Sequence, residues 1–166
     1  MILVRAVHLF LCFLAVLLFF AEVRASESMK NLKLIDGLFY SSDGTQIFTG
    51  DITDQSAGSI KNGLKTGPWK YFHEDGALAR AGGYKHGKRH GLWVGYYENG
   101  QIYFEGRFDS GKKVGPWISY YDSGKLFYKG TYENGRKVGE WVSYNPDGSV
   151  WDYQTGTFEN NVKINE

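Results

Sequence analysis

Cysteine is almost missing from this chain: the only one, Cys12, sits inside an apolar N-terminal stretch. The rest has no material for disulfides, a thiol nucleophile or cysteine-ligated zinc. Proline is also scarce, at 3 residues against 22 glycines, and aromatics reach 17%. That balance suits short strands joined by tight turns, not long helices. An excess of either charge is lacking too. Setting aside Arg5, Arg24 and Glu22 reduces 19 basic and 18 acidic residues to 17 of each. Nothing in that balance calls for a polyanion, and nucleic acid is not an expected partner.

Long apolar runs are absent except for Leu9 to Ala21, which follows Arg5 and precedes the small-residue pattern Val23-Arg24-Ala25. It is shorter than the ~20 residues that cross a bilayer. The pattern predicts a secretory signal peptide over residues 1–25, and so an exported protein, periplasmic or extracellular, rather than one held by an uncleaved anchor. Leu11 is too large for lipidation at Cys12. Residues 26–36 are expected to be a linker.

What the chain has in abundance is repetition. Trp69, Trp93, Trp117 and Trp141 recur at one constant interval, each two positions after a glycine. Each unit continues with an aromatic, a turn glycine and an aliphatic residue. A second half brings Gly82, Gly106 and Gly130, the aromatics Tyr84, Phe108 and Tyr132, and a second turn glycine. Segments such as WISYY and KLFYKGTY alternate with EDG, ENG, DSG and PDG at one end and HG, SG and NG at the other, the pattern of hairpins. The expected fold is all-β: an elongated single-layer antiparallel β-meander of tandem 24-residue hairpin repeats over residues 37–166. It divides into a degenerate first unit (37–66, joined to the array through inserted residues), regular units (67–90, 91–114, 115–138) and a terminal unit (139–166). Gly82, Gly106 and Gly130 would leave bare backbone over which a neighbouring ring lies. Isolated hairpins bury too little to be stable, so stacked units supply each other's contacts.

The units GPWKYFHEDGALARAGGYKHGKRHG, GLWVGYYENGQIYFEGRFDSGKKVG and GPWISYYDSGKLFYKGTYENGRKVG resemble MORN repeats in their variant form. The resemblance implies an elongated antiparallel sheet that serves in protein–protein contact, sometimes in contact with membrane lipid. Some bacterial proteins with such repeats are described as antitoxin components; export would be at odds with neutralising a cytosolic toxin.

No catalytic constellation emerges, and neither an enzyme nor a cofactor is expected. GRFDSGKK, Gly106 to Lys113, has the outline of a phosphate-binding loop, but Lys113 stands where that loop needs Ser or Thr, and the element recurs as GGYKHGKR and GTYENGRK. His86 and His90 have the spacing of helical metal ligands yet flank a glycine turn, so no metal site is expected. Glu98 and Glu105 lack the setting of a paired acid and base. The turns after each first strand carry Glu74, Asp75, Glu98, Asp122 and Asp147. Those after the second carry Lys88, Arg89, Lys112, Lys113, Arg136 and Lys137. A meander would make the latter a basic edge able to meet an anionic lipid or polysaccharide, or an acidic protein, with Asp109 and Glu133 partly cancelling it. The tryptophans are expected to pack as the core. Tyr103, Phe127 and Trp151 on the opposite face offer a second possibility, a row of rings for carbohydrate or cell-wall binding. The reading is of a non-enzymatic scaffold whose partner is an unidentified protein.

Overall fold

The structure, a computed structural model, describes residues 25–164. All but the last residue of the expected signal peptide lie outside them. The chain runs through β1 (Ala25–Glu27), a 3-10 turn (Met29–Asn31), β2 (Lys33–Ile35), β3 (Leu38–Tyr40), β4 (Gly50–Thr53) and β5 (Ser56–Lys61). The long strands follow: β6 (Leu64–Phe72), β7 (Leu78–Lys85), β8 (Lys88–Tyr96), β9 (Ile102–Asp109), β10 (Lys112–Tyr120), β11 (Leu126–Glu133) and β12 (Arg136–Ser143). A second 3-10 turn (Asp152–Gln154), β13 (Gly156–Glu159) and β14 (Val162–Ile164) complete it. From β4 to β14 every strand pairs with its sequence neighbour in one open antiparallel sheet, and β1 adds to β4 in parallel. At ~4.8 Å per strand the twelve strands span roughly 50 Å. The expected meander is thus the observed fold.

Two turn chemistries alternate along the two edges. Between β9 and β10, Ser110 and Gly111 both lie in the left-handed region, at φ 49° and 87°. This two-residue turn matches the strand twist, which is why Asn-Gly, His-Gly and Ser-Gly recur there. At the opposite edge the turns are longer, and an Asx side chain organises them. Asp75 accepts the Ala77 N–H, Asn99 that of Gln101, and Asp147 that of Ser149. Two acids of that edge, Asp75 and Asp147, are therefore turn formers. Successive hairpin tips are also tied together by backbone bonds. Gly87 donates to the Lys65 carbonyl at 3.0 Å, Gly111 to Arg89 at 2.9 Å and Gly135 to Lys113 at 2.9 Å.

The core is built on one face of the sheet. Each indole lies over a glycine of the preceding strand: Trp69 over Gly58, Trp93 over Gly82, Trp117 over Gly106 and Trp141 over Gly130. A Cβ at any of these glycines would stand 2.0 to 2.6 Å from carbons of the indole, far inside van der Waals contact. Between tryptophans stand Tyr84, Phe108, Tyr132 and finally Phe158, so eight rings form one column. Each meets the next edge to face at centroid distances of 4.9 to 6.4 Å. Trp93 is completely buried, and the other three tryptophans are at most 4% exposed. Trp69, Trp93 and Trp141 donate Nε1 to backbone carbonyls. Trp117 is turned so that its six-membered ring covers Gly106, and its Nε1 is buried with no hydrogen-bond partner among the described residues.

The N-terminal region departs from expectation. Of residues 26–36, expected as a linker, 26–32 are folded onto the array. Ser26 pairs with Asp51 through β1, Asp54 accepts hydrogen bonds from Ser28 Oγ and the Met29 N–H, and Met29 and Leu32 pack on Ile52, Ile60 and Trp69. The physical reason is that the first units have an otherwise uncovered apolar face, which this segment shields. β2 and β3 form a separate small hairpin outside the main sheet. Gly58, expected in an irregular junction, is in phase with Gly82 and carries Trp69 in the same way. At the other end the Lys163 stem fills the space over Gly156, where the next indole would lie, and its Nζ donates to the Asp152 carbonyl at 2.7 Å.

Candidate binding surface

The six basic residues expected on one edge divide into two sets. Lys88, Lys112 and Arg136 are exposed beside the two-residue turns. Arg89, Lys113 and Lys137 fold back over the indoles. The Arg89 guanidinium lies 4.8 Å from the Trp93 ring centroid, Lys113 Nζ 4.0 Å from Trp117 and Lys137 Nζ 4.5 Å from Trp141. Lys65 Nζ, 4.1 Å from Trp69, begins this column. Sequence reasoning missed Lys65, although it stands one full repeat before Arg89. These cations close the inner face, because a charged tip over an aromatic face is attracted to it while its stem covers apolar surface.

Closing the face costs the lysines some of their basicity. Burial, reinforced by Arg80 and Arg89, lowers Lys65 to about 8, and burial likewise lowers Lys113 and Lys137. Lys65 Nζ also donates to the Tyr71 hydroxyl at 2.9 Å, which lies 3.0 Å from that of Tyr84, and Asp54 acts in the opposing sense. A lysine that releases its proton more readily folded than unfolded adds stability as pH rises. The window runs from about 8 to the ordinary value of 10.5, below which both states are charged. The denaturation midpoint of the protein, measured against that of Lys65→Met, is expected to climb across this window. A constant difference would mean that the rings hold the charge as well as water does.

The remaining chemical candidates are parts of the scaffold. GRFDSGKK is β9, turn and β10, with no helix to face a phosphate. His86 is the first turn residue, at φ 50°, and His90 Nδ1 lies 3.2 Å from Asp109. Among the described residues no group of three or more His, Cys, Asp or Glu could hold a metal. Glu98 lies in a turn and Glu105 within β9. Tyr103 and Trp151 are exposed at 45% and 38%. The rings near them meet one another: Tyr97 is 5.0 Å from Tyr103, Tyr121 is 4.8 Å from Phe127, and Phe127 stacks on Trp151 at 6.3 Å.

The outer face of the sheet is open. Over β8 to β13 it forms a groove of about 850 Å³, with Leu92, Pro116, Ile118 and Val142 on its floor. Glu105, Arg107, Lys129 and Glu140 also line it. No ion pair or side-chain hydrogen bond engages these four charges among the described residues. The sequence signal is the column Val94, Ile118 and Val142, one residue after Trp93, Trp117 and Trp141 and therefore on the opposite face.

No curated protein matches the chain. A family model described as the MORN repeat variant matches residues 65–86, 89–110 and 113–134. Each match covers one strand–turn–strand unit, β6 with β7, β8 with β9 and β10 with β11, beginning at or beside the cation that covers the indole. Within residues 65–134 this chain thus carries three tandem units that match the MORN repeat variant.

Proposed function

We propose that the protein is an exported, non-enzymatic scaffold that binds another protein through the outer face of its sheet. MORN repeats are generally modules of protein or membrane interaction, and the repeat itself is non-catalytic. The observation that carries this reading is the contrast between the two faces. The inner one is filled by its own rings and capped by its own cations. The outer one keeps an apolar floor and four unengaged charges open to solvent. Solvated charges beside apolar surface fit a partner that supplies both complements. Export is supported by the N-terminal apolar run with its small-residue boundary, and by the lack of cysteine after it.

A photo-crosslinking residue placed at Ile118 tests the reading in cells of the native host, with a second probe at Lys112 on the basic edge. Adducts with protein are expected from Ile118, in the extracytoplasmic fraction. Adducts from Lys112 alone, or lipid adducts there with none at Ile118, would move the binding surface to the basic edge.

A further inference from the structure

The outer face carries a row whose order suits a particular occupant. Direct cross-strand neighbours run Val94 on β8, Glu105 on β9, Ile118 on β10, Lys129 on β11 and Val142 on β12. About Ile118 the row is symmetric in its apolar members and antisymmetric in charge. Valines stand two strands away on either side, and opposite charges one strand away, at roughly 4.8 Å.

A two-fold axis parallel to β10, lying between two facing sheets, exchanges left with right in such a row. Ile118 then meets Ile118 of a second copy, Val94 meets Val142, and Glu105 of each copy meets Lys129 of the other. In the neighbouring row Pro116 meets its own counterpart. Arg107, on β9, comes opposite Thr131 with Glu140 of the second copy beside it. Any two-fold contact needs a patch complementary to itself, and this register provides one. Face-to-face sheets pack ~10 Å apart, within reach of a glutamate and a lysine extended toward each other. Glu105 and Lys129 are both exposed and have no ion-pair partner among the described residues.

We infer that the occupant of the groove is a second copy of this chain, docked outer face to outer face about that axis. The inference rests on the scaffold reading and names its partner. Sedimentation velocity on purified protein tests it with two charge reversals. In Glu105→Lys both two-fold contacts become lysine against lysine, and in Lys129→Glu both become glutamate against glutamate. Each variant alone is expected to weaken self-association by ~100-fold or more, since each dimer then holds two like-charge contacts. Mixed in equal amounts, the two variants restore both opposite-charge contacts, and a heterodimer is expected at near wild-type strength. Far-UV circular dichroism and tryptophan emission confirm that each variant is folded; recovery on mixing reports the contact itself.

A wild type that stays monomeric at its highest soluble concentration overturns the inference. So does a dimer indifferent to both reversals, or a mixture no better than its components. If the Ile118 probe still captures a different protein in any of these cases, the scaffold reading stands without self-association.

Discussion

Trp93→Ala is expected to remove about 3–5 kcal/mol of stability, the range for deleting a large buried aromatic. Against a total of ~5–15 kcal/mol for a domain, that is a large share. The position is the most demanding in the column. Trp93 is fully buried, touches Tyr71, Tyr84 and Phe108, lies beneath the Arg89 guanidinium, and donates to the Gly83 carbonyl at 3.0 Å. Among the described residues no second layer lies over Trp93 to collapse into the space. Because repeat arrays hold together through nearest-neighbour contacts, the gap also separates the units on either side. Guanidinium unfolding followed by circular dichroism should show a lower midpoint, with the single transition splitting in two. Lys70→Ala, at an exposed position one residue after Trp69 and outside the groove, should cost less than about 0.5 kcal/mol. Equal effects at the two positions would refute the column as the core.

Gly106→Ala should be nearly as damaging, although it adds a single methyl group. The new Cβ would stand 2.0 Å from the nearest carbon of the Trp117 ring, so the indole must leave its place between Phe108 and Tyr132. Overpacking of this kind costs about 1–3 kcal/mol, and the upper end is expected where an entire ring is displaced. Gly115→Ala makes the useful comparison. Its φ of +69° penalises a side chain, but nothing lies within 4 Å of the added atom. Its cost should stay near the ~1–2 kcal/mol of a left-handed alanine. In a Trp117→Val background the Gly106→Ala penalty should shrink while that of Gly115→Ala persists. A double-mutant cycle reads this as a coupling confined to the stacked pair.

Much of this is legible in the sequence because a strict repeat period constrains both turn chemistry and strand direction. Trp69 to Trp141 and Gly82 to Gly130 announce two columns, and the Asn-Gly and Ser-Gly pairs announce tight hairpins. That Tyr84, Phe108 and Tyr132 interleave with the tryptophans is not legible. It depends on the bulge at residues such as Gly115 and Pro116, which sets Trp117 opposite Gly106 while Val114 stands opposite Arg107. The division of the basic residues into two sets is hidden for a related reason. Alternation along a strand sends Lys112 outward and Lys113 over the indole, a distinction that charge counting ignores. Residues 26–36 look like a linker because polar residues dominate them, whereas Met29 and Leu32 suffice to anchor the segment once Ile52 and Trp69 offer a surface. The outer-face row is hidden most deeply. Val94, Glu105, Ile118, Lys129 and Val142 become neighbours only when the register of four strand pairs is known.

The backbone bonds joining successive hairpin tips make the molecule a ruler. Each unit advances the sheet by two strands, roughly 9.6 Å, and returns the chain to an identical tip. Lys65, Arg89 and Lys113 accept the same bond, each from the tip of the following hairpin on that edge. Length can therefore change only in whole graduations: removing residues 89–112 would shorten the array by one mark and leave every remaining tip with a donor and an acceptor. Removing one residue between Arg89 and Gly111 would instead put the bond that spans it out of register.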